Sequence, residues 1–112
     1  MARGLEGVAR LANLYAVAGV PAKHLHIVAV VHGKATPAVL DDAHYRAKFG
    51  MDNPNTPLLQ ALSKTGVKVV VCGQALAHQG FQATSVNSHV PVVLGALAAL
   101  AKYQREGYVL LP

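Results

Sequence analysis

The stretch Val67-Lys68-Val69-Val70-Val71-Cys72-Gly73-Gln74-Ala75-Leu76-Ala77-His78 changes character at its middle. Its first six residues are β-branched and almost continuously apolar, the composition of a strand covered on both faces. Gly73 breaks the run, and Gln74 to His78 reads as a short helical stretch. A buried strand that turns at a glycine into a helix is the unit from which parallel α/β sheets are built. Cys72 stands at the end of that strand.

Working outward, His24-Leu25-His26-Ile27-Val28-Ala29-Val30-Val31-His32 is a second strand of the same kind, ended by Gly33. Between the two strands, Thr36-Pro37 opens a helix through about Lys48, with Thr available as a cap and Pro in a tolerated first-turn position. Gly50 closes it. Met51 to Asn55 is dense in turn formers, and Asn55 or Thr56 caps a helix that carries Pro57 in its first turn and ends near Gly66. Its inward face is Leu58, Leu59 and Leu62.

Ahead of the first strand, Leu5, Val8, Leu11, Ala12 and Tyr15 recur at steps of three or four, one buried face of a helix from about Ala2 to Ala18. Gly19 and Pro21 form its stop. Beyond His78, Gly80 to His89 is polar and irregular, Val90 to Val93 is a short strand, and Leu94 to Glu106 is a nearly all-apolar helix stopped by Gly107. Tyr108-Val109-Leu110-Leu111-Pro112 reads as a terminal strand. The alternation predicts an α/β chain: a single three-layer flavodoxin-like domain over residues 1–112, with a mainly parallel sheet and helices on both faces.

Composition agrees with one core, since 53% of the 112 residues are hydrophobic. Charged residues make up 13%, roughly half the usual share, and oligomerisation is the simplest way to cover the surface this leaves. The net charge is +5, but the ten lysines and arginines stand singly along the chain with little aromatic interleaving, which argues against nucleic-acid binding. One cysteine allows no internal disulfide, so thiol chemistry needs a partner molecule and the compartment stays open between cytoplasm and periplasm. Leu11 to Val20 is the one signal-like stretch, but Glu6 before it and the break at Pro21 favour the amphipathic helix. No run approaches the roughly 18–20 apolar residues of a membrane span.

In open parallel sheets ligands bind beyond the carboxyl ends of the strands. His32 and Cys72 both end strands at that edge, and the Asp52–Asn55 loop is expected above it, because the following helix must descend to deliver the chain to Val67. At Cys72, backbone N–H groups of the helix starting at Gly73-Gln74 can point at the sulfur and favour its thiolate. Gly73 permits a sharp turn with no side chain blocking approach. The other reading makes Cys72 a small packed hydrophobe. His32 suits proton exchange or a hydrogen bond to a ligand, as does His78 six residues beyond Cys72, against the plainer role of a partly exposed histidine. Asn53 and Asn55 can present amides to an anionic or sulfur-bearing ligand, or serve as Asx-turn and cap residues. His24 and His26 alternate onto one strand face, but with no third ligand they assign no metal. Gly33-Lys34-Ala35 lacks the earlier glycine and the hydroxyl residue of a phosphate loop.

Taken in order, Val8-Ala9-Arg10-Leu11-Ala12-Asn13-Leu14-Tyr15, Val31-His32-Gly33, Asp52-Asn53-Pro54-Asn55, Val71-Cys72-Gly73-Gln74-Ala75 and Tyr103-Gln104-Arg105-Glu106-Gly107-Tyr108 resemble the DsrE/DsrF-like sulfur-relay family, in particular its stand-alone branch. The resemblance spans nearly the whole chain. It implies a flavodoxin-like sheet, homo-oligomers such as trimers or hexamers, and a cysteine, here Cys72, that accepts sulfane sulfur as a persulfide from a donor and passes it to an acceptor thiol on a protein or small molecule. No metal or organic cofactor is implied. His32, Gly33, Asn53, Asn55, Gly73 and Gln74 are expected to shape the pocket. One departure stands out: relatives begin with a β-strand before the first helix, whereas this chain starts inside that helix, so an N-terminal strand is missing or the sheet is completed by another subunit. The alternative function is a non-catalytic oligomeric module that binds a small ligand, with Cys72 packed; a third is a structural interaction protein whose apolar surface is used up in subunit contacts.

Overall fold

The computed structural model describes residues 3–21 and 24–111. Helix α1 (Arg3–Val17) leads to strand β1 (Ile27–Val31), a 3-10 helix (Gly33–Val39), helix α2 (Asp42–Phe49) and helix α3 (Thr56–Ser63). Strand β2 (Val67–Cys72), helix α4 (Gly73–His78), a 3-10 turn (Ala83–Ser85), strand β3 (Val92–Val93) and helix α5 (Ala96–Arg105) complete it. The sheet runs β1-β2-β3 and is parallel throughout, with Ile27 opposite Val67, Val31 opposite Val71, and Cys72 opposite Val93. This is an open α/β sheet of the flavodoxin-like kind.

Strand alternation sorts the two faces. Ile27, Ala29 and Val31 share a face with Val67, Val69 and Val71, and this face packs on Leu5 and Ala12 of α1 and Leu59 and Leu62 of α3. Val70, fully buried, and Cys72 point the other way, toward α5. Fully burying a Val or Leu side chain is worth about 1.5–3 kcal/mol, so the β2 valines and the α1 and α3 leucines anchor the fold.

Local chemistry sets the element ends. Asp41 caps α2 by accepting the His44 N–H at 2.8 Å, and Gly50 ends the helix at φ 76, a left-handed conformation that suits glycine. Pro57 occupies the first turn of α3. The expected single helix from Thr36 to Lys48 is instead two pieces, because Leu40 leaves the first in an extended conformation and bridges antiparallel to Val86.

Three expectations need correction. The strand expected at His24–His32 covers only Ile27–Val31, since its pairing with β2 begins at Ile27 opposite Val67. The strand expected at Val90–Val93 shrinks to Val92–Val93. Tyr108–Leu111 forms no strand; Pro112 lies outside the described residues. Among the described residues, no helix is long and apolar enough to cross a membrane.

Candidate functional site

Cys72 is the last residue of β2 and the N-cap of α4. Its Sγ accepts the Ala75 N–H at 3.4 Å, the capping bond that follows when a strand turns into a helix at the cysteine itself. It also accepts the Ala96 N–H at 3.3 Å, from the first residue of α5. Two amide donors from two helix starts therefore converge on one sulfur. Both stabilise negative charge there.

The glycines make this convergence possible. A Cβ on Gly73 would stand 2.9 Å from the Val93 carbonyl oxygen, so only glycine lets the β3 backbone come close enough for α5 to start beside Cys72. Gly95, the N-cap of α5, is buried, and the exposed Gln74 side chain lies over it, with Oε1 3.1 Å from where a Cβ would sit. The sulfur is enclosed, with Cys72 5% exposed, while Leu94 and Leu97 beside it are about 84% and 85% exposed.

His32 and Gly33 follow β1 as Cys72 follows β2, and the pairing of Val31 with Val71 sets the two strand ends level. His32 is exposed and extended at the start of the 3-10 helix. Gly33, at φ 58, offers its carbonyl to Thr36 Oγ1 and to Gln79 Nε2, both at 2.8 Å. The Gln79 bond ties the loop after β1 to the end of α4. His78 is exposed at the far end of α4, about 8 Å along the helix axis from its start.

Asn53 and Asn55 are buried and occupied within the fold. The Asn53 side-chain amide donates to the Ala38 carbonyl at 2.9 Å and the Leu40 carbonyl at 2.8 Å, while its oxygen accepts from the Asn55 backbone N–H at 2.9 Å and side-chain amide at 3.0 Å. Asp42 extends the knot by accepting from the Asn53 N–H and the Thr56 hydroxyl. The Asp52–Asn55 loop is thus pinned to the segment that leaves β1.

Sequence reasoning did not identify Ala75, Ala96 or Gln79. Ala75 was available from the strand-Gly-helix pattern, whereas an alanine 24 residues beyond the cysteine carries no side-chain signal. A groove of about 1620 Å³ is lined by His32 but not by Cys72 and runs along the free edge of β1. It is not the cleft of the sulfur. Among the described residues, no group of three His, Cys, Asp or Glu side chains is placed to hold a metal ion.

A model of the DsrE/DsrF-like family matches residues 2–112. Among solved structures, a protein of unknown function from Methanobacterium thermoautotrophicum, MTH1491, is similar with a TM-score of 0.68 at 18% sequence identity, over 93% of this chain and 85% of that one. At that identity the likeness is one of fold. No curated protein matches the chain.

Proposed function

The chain belongs to the DsrE/DsrF-like family, which is associated with sulfur relay in general, and on that footing we propose that it is a sulfur carrier that holds sulfane sulfur on Cys72 as a persulfide. The observation that carries this reading is the pair of N–H donors on Cys72 Sγ, from Ala75 and Ala96. In the first step the Cys72 thiolate attacks the outer sulfur of a donor persulfide. The donor S–S bond breaks, the donor leaves as its thiolate, and the outer sulfur is now bonded to Cys72. With a thiosulfonate donor the leaving group is the sulfinate. In the second step an acceptor thiolate attacks the outer sulfur, the Cys72 S–S bond breaks, and the Cys72 thiolate returns to the two amide donors, ready for another cycle. Sulfur moves with no net change in redox state between donor and acceptor.

The neighbouring residues have separable parts in this proposal. Gly73 keeps the approach to Sγ free of a side chain, and Gln74 presents an amide at the mouth. His32 and Gly33 border the mouth from the adjoining strand end, with His32 free to exchange a proton with an incoming thiol. Asn53 and Asn55 act from below by fixing the loop that follows β1. Subunit association covers apolar surface that the charge-poor composition leaves open.

A second reading rests on the burial of Cys72: a ligand-binding module without sulfur transfer, in which the thiol is packing material. One experiment separates the two. The reduced native protein is incubated with a persulfide or thiosulfate donor and its intact mass is measured, with Cys72→Ala as control. A single added sulfur that is lost in Cys72→Ala supports the carrier; no addition unless the protein is first denatured overturns it and leaves the packed cysteine.

A further inference from the structure

Between Lys68 and Lys102 the sequence contains no lysine, arginine, aspartate or glutamate, so the 13% of residues that are charged all lie outside this stretch. The same stretch supplies β2 from Val69 onward, α4, β3 and α5 up to Ala101. Every group already placed around the sulfur by a contact belongs to it. Ala75 and Ala96 donate to Cys72 Sγ, Gly73 passes against Val93, and Gln74 lies over Gly95. Leu94 and Leu97 stand out beside the sulfur at about 84% and 85% exposure. Along α5 the first charge is Lys102, about 9 Å from Ala96 in the direction of the axis. The adjoining strand end contributes His32 and, beyond it, Lys34, both exposed.

The mouth of the sulfur is therefore polar through one carboxamide and otherwise apolar. An anion brought there gives up water and gains no counter-charge, at a cost that grows with its own charge. A Cys72 thiolate adds repulsion, because both partners are then negative. The net charge of +5 draws anions toward the molecule as a whole, but its fixed positive groups are not on the elements that hold the sulfur. An apolar group gains instead, by covering Leu94 and Leu97. Enclosure adds a limit of size: with Cys72 5% exposed, a slim carrier passing Gly73 reaches the sulfur more readily than a cysteine held on the face of a folded protein.

We propose that Cys72 exchanges sulfur with low-molecular-weight persulfides whose carrier group is uncharged and apolar, and discriminates against thiosulfate and against carboxylate-bearing persulfides such as that of glutathione. This rests on the carrier reading above and names its substrate class. The Cys72 thiolate attacks the outer sulfur of a persulfide RSSH. A new S–S bond forms at Cys72, the S–S bond of the donor breaks, and the carrier leaves as RS⁻, which takes a proton from water. The outer sulfur keeps its own proton, and no external oxidant or reductant takes part.

The test measures, by intact mass, the rate at which the reduced full chain gains one sulfur from butyl persulfide, glutathione persulfide and thiosulfate in turn, with Cys72→Ala as blank. A peptide of Val71–Gln74 with both ends capped supplies the intrinsic reactivity of each donor. The two persulfides react through the same group, so their comparison isolates the carrier. Relative to the peptide, butyl persulfide is expected to lead both anionic donors by roughly tenfold or more, on the scale of an anion desolvated without a partner. Leu97→Lys and Leu97→Glu alter a position that contributes little to the core. At low salt the lysine should raise the glutathione persulfide rate about threefold and the glutamate lower it about threefold, with the difference shrinking at high salt. Equal donor preferences in chain and peptide, a faster thiosulfate reaction, or a Leu97 series without this order overturns the inference and leaves Cys72 as a carrier. A native chain that gains no sulfur from any of the three donors overturns the carrier reading and this inference with it.

Discussion

Asn53→Ala is the substitution whose cost follows most directly from the structure. The residue is 3% exposed, and its side chain gives two hydrogen bonds to backbone carbonyls and receives two from Asn55. Alanine removes both donors to Ala38 and Leu40 and the acceptor of the Asn55 amides. A buried polar group deprived of its partner costs about 1–3 kcal/mol, and several are affected, with some recovered by relaxation and entering water. The expected loss is about 3–5 kcal/mol, a large part of the roughly 5–15 kcal/mol that holds a domain together. Urea denaturation followed by far-UV circular dichroism measures it, as a lower midpoint with an unchanged slope. Asn53→Asp is the sharper control, because it keeps the acceptor for Asn55 but sets carboxylate oxygens against two carbonyls, and at neutral pH it should be no better than alanine. A loss below about 1 kcal/mol in Asn53→Ala would refute the reasoning, since that is the scale of an ordinary surface change. It would also return Asn53 to the role of a residue kept for a ligand.

Gly73→Ala forces a methyl against the Val93 carbonyl and should cost about 1–3 kcal/mol, whereas Gly95→Ser meets the movable end of Gln74 and places a favoured cap on α5, staying within about 0.5 kcal/mol. Equal urea midpoints for the two variants would contradict the close approach of β3. At Asp41, burial pushes the carboxyl pKa up, but the His44 backbone N–H, its ring and its charge outweigh this and hold the group below its ordinary value of 3.8. A depressed folded-state pKa means that the stabilisation is present above the unfolded value and is lost as pH falls through the folded one. The Tm advantage of the native chain over Asp41→Asn should therefore be full at neutral pH and vanish on strong acidification; an advantage that grows with acid would reverse the sign.

The parts of the fold legible in the sequence are those decided within a short window. The turn from β2 to α4 announces itself through five residues of burial pattern and one glycine, and it places Cys72 correctly at a strand end. What stayed hidden depends on partners distant in the chain. His24 and His26 have the alternation of a strand, but nothing lies opposite them, because β2 begins at Val67. Tyr108–Leu111 has strand composition, and composition reports which faces can be buried, not whether an edge is within reach. Asn53 fits the turn chemistry from which it was read, accepting the Asn55 N–H, whereas Asn55 stands at the N-cap of α3 without the expected side-chain cap bond. The bonds of Asn53 to Ala38 and Leu40 join segments 15 and 13 residues apart and leave no local mark.

The two hydrogen bonds to Cys72 differ in the same way, and that difference bears on how an enclosed sulfur can react. The Ala75 bond is local: it exists wherever β2 turns into α4, and breaking it means unwinding the first turn of the helix. The Ala96 bond is remote and hangs on β3, which pairs with β2 through only two residues, and on the extended Gly95 at the start of α5. Sub-global openings follow the segments with the fewest long-range hydrogen bonds and buried contacts. Displacing the β3–α5 turn uncovers the sulfur while β2, with its run of buried valines, stays in place. Such an opening leaves the local Ala75 bond in place, so in the proposed transfer the sulfur would keep one of its two amide donors. The wall that encloses Cys72 is thus built from the least paired strand of the sheet, so enclosure does not stand against the proposed transfer.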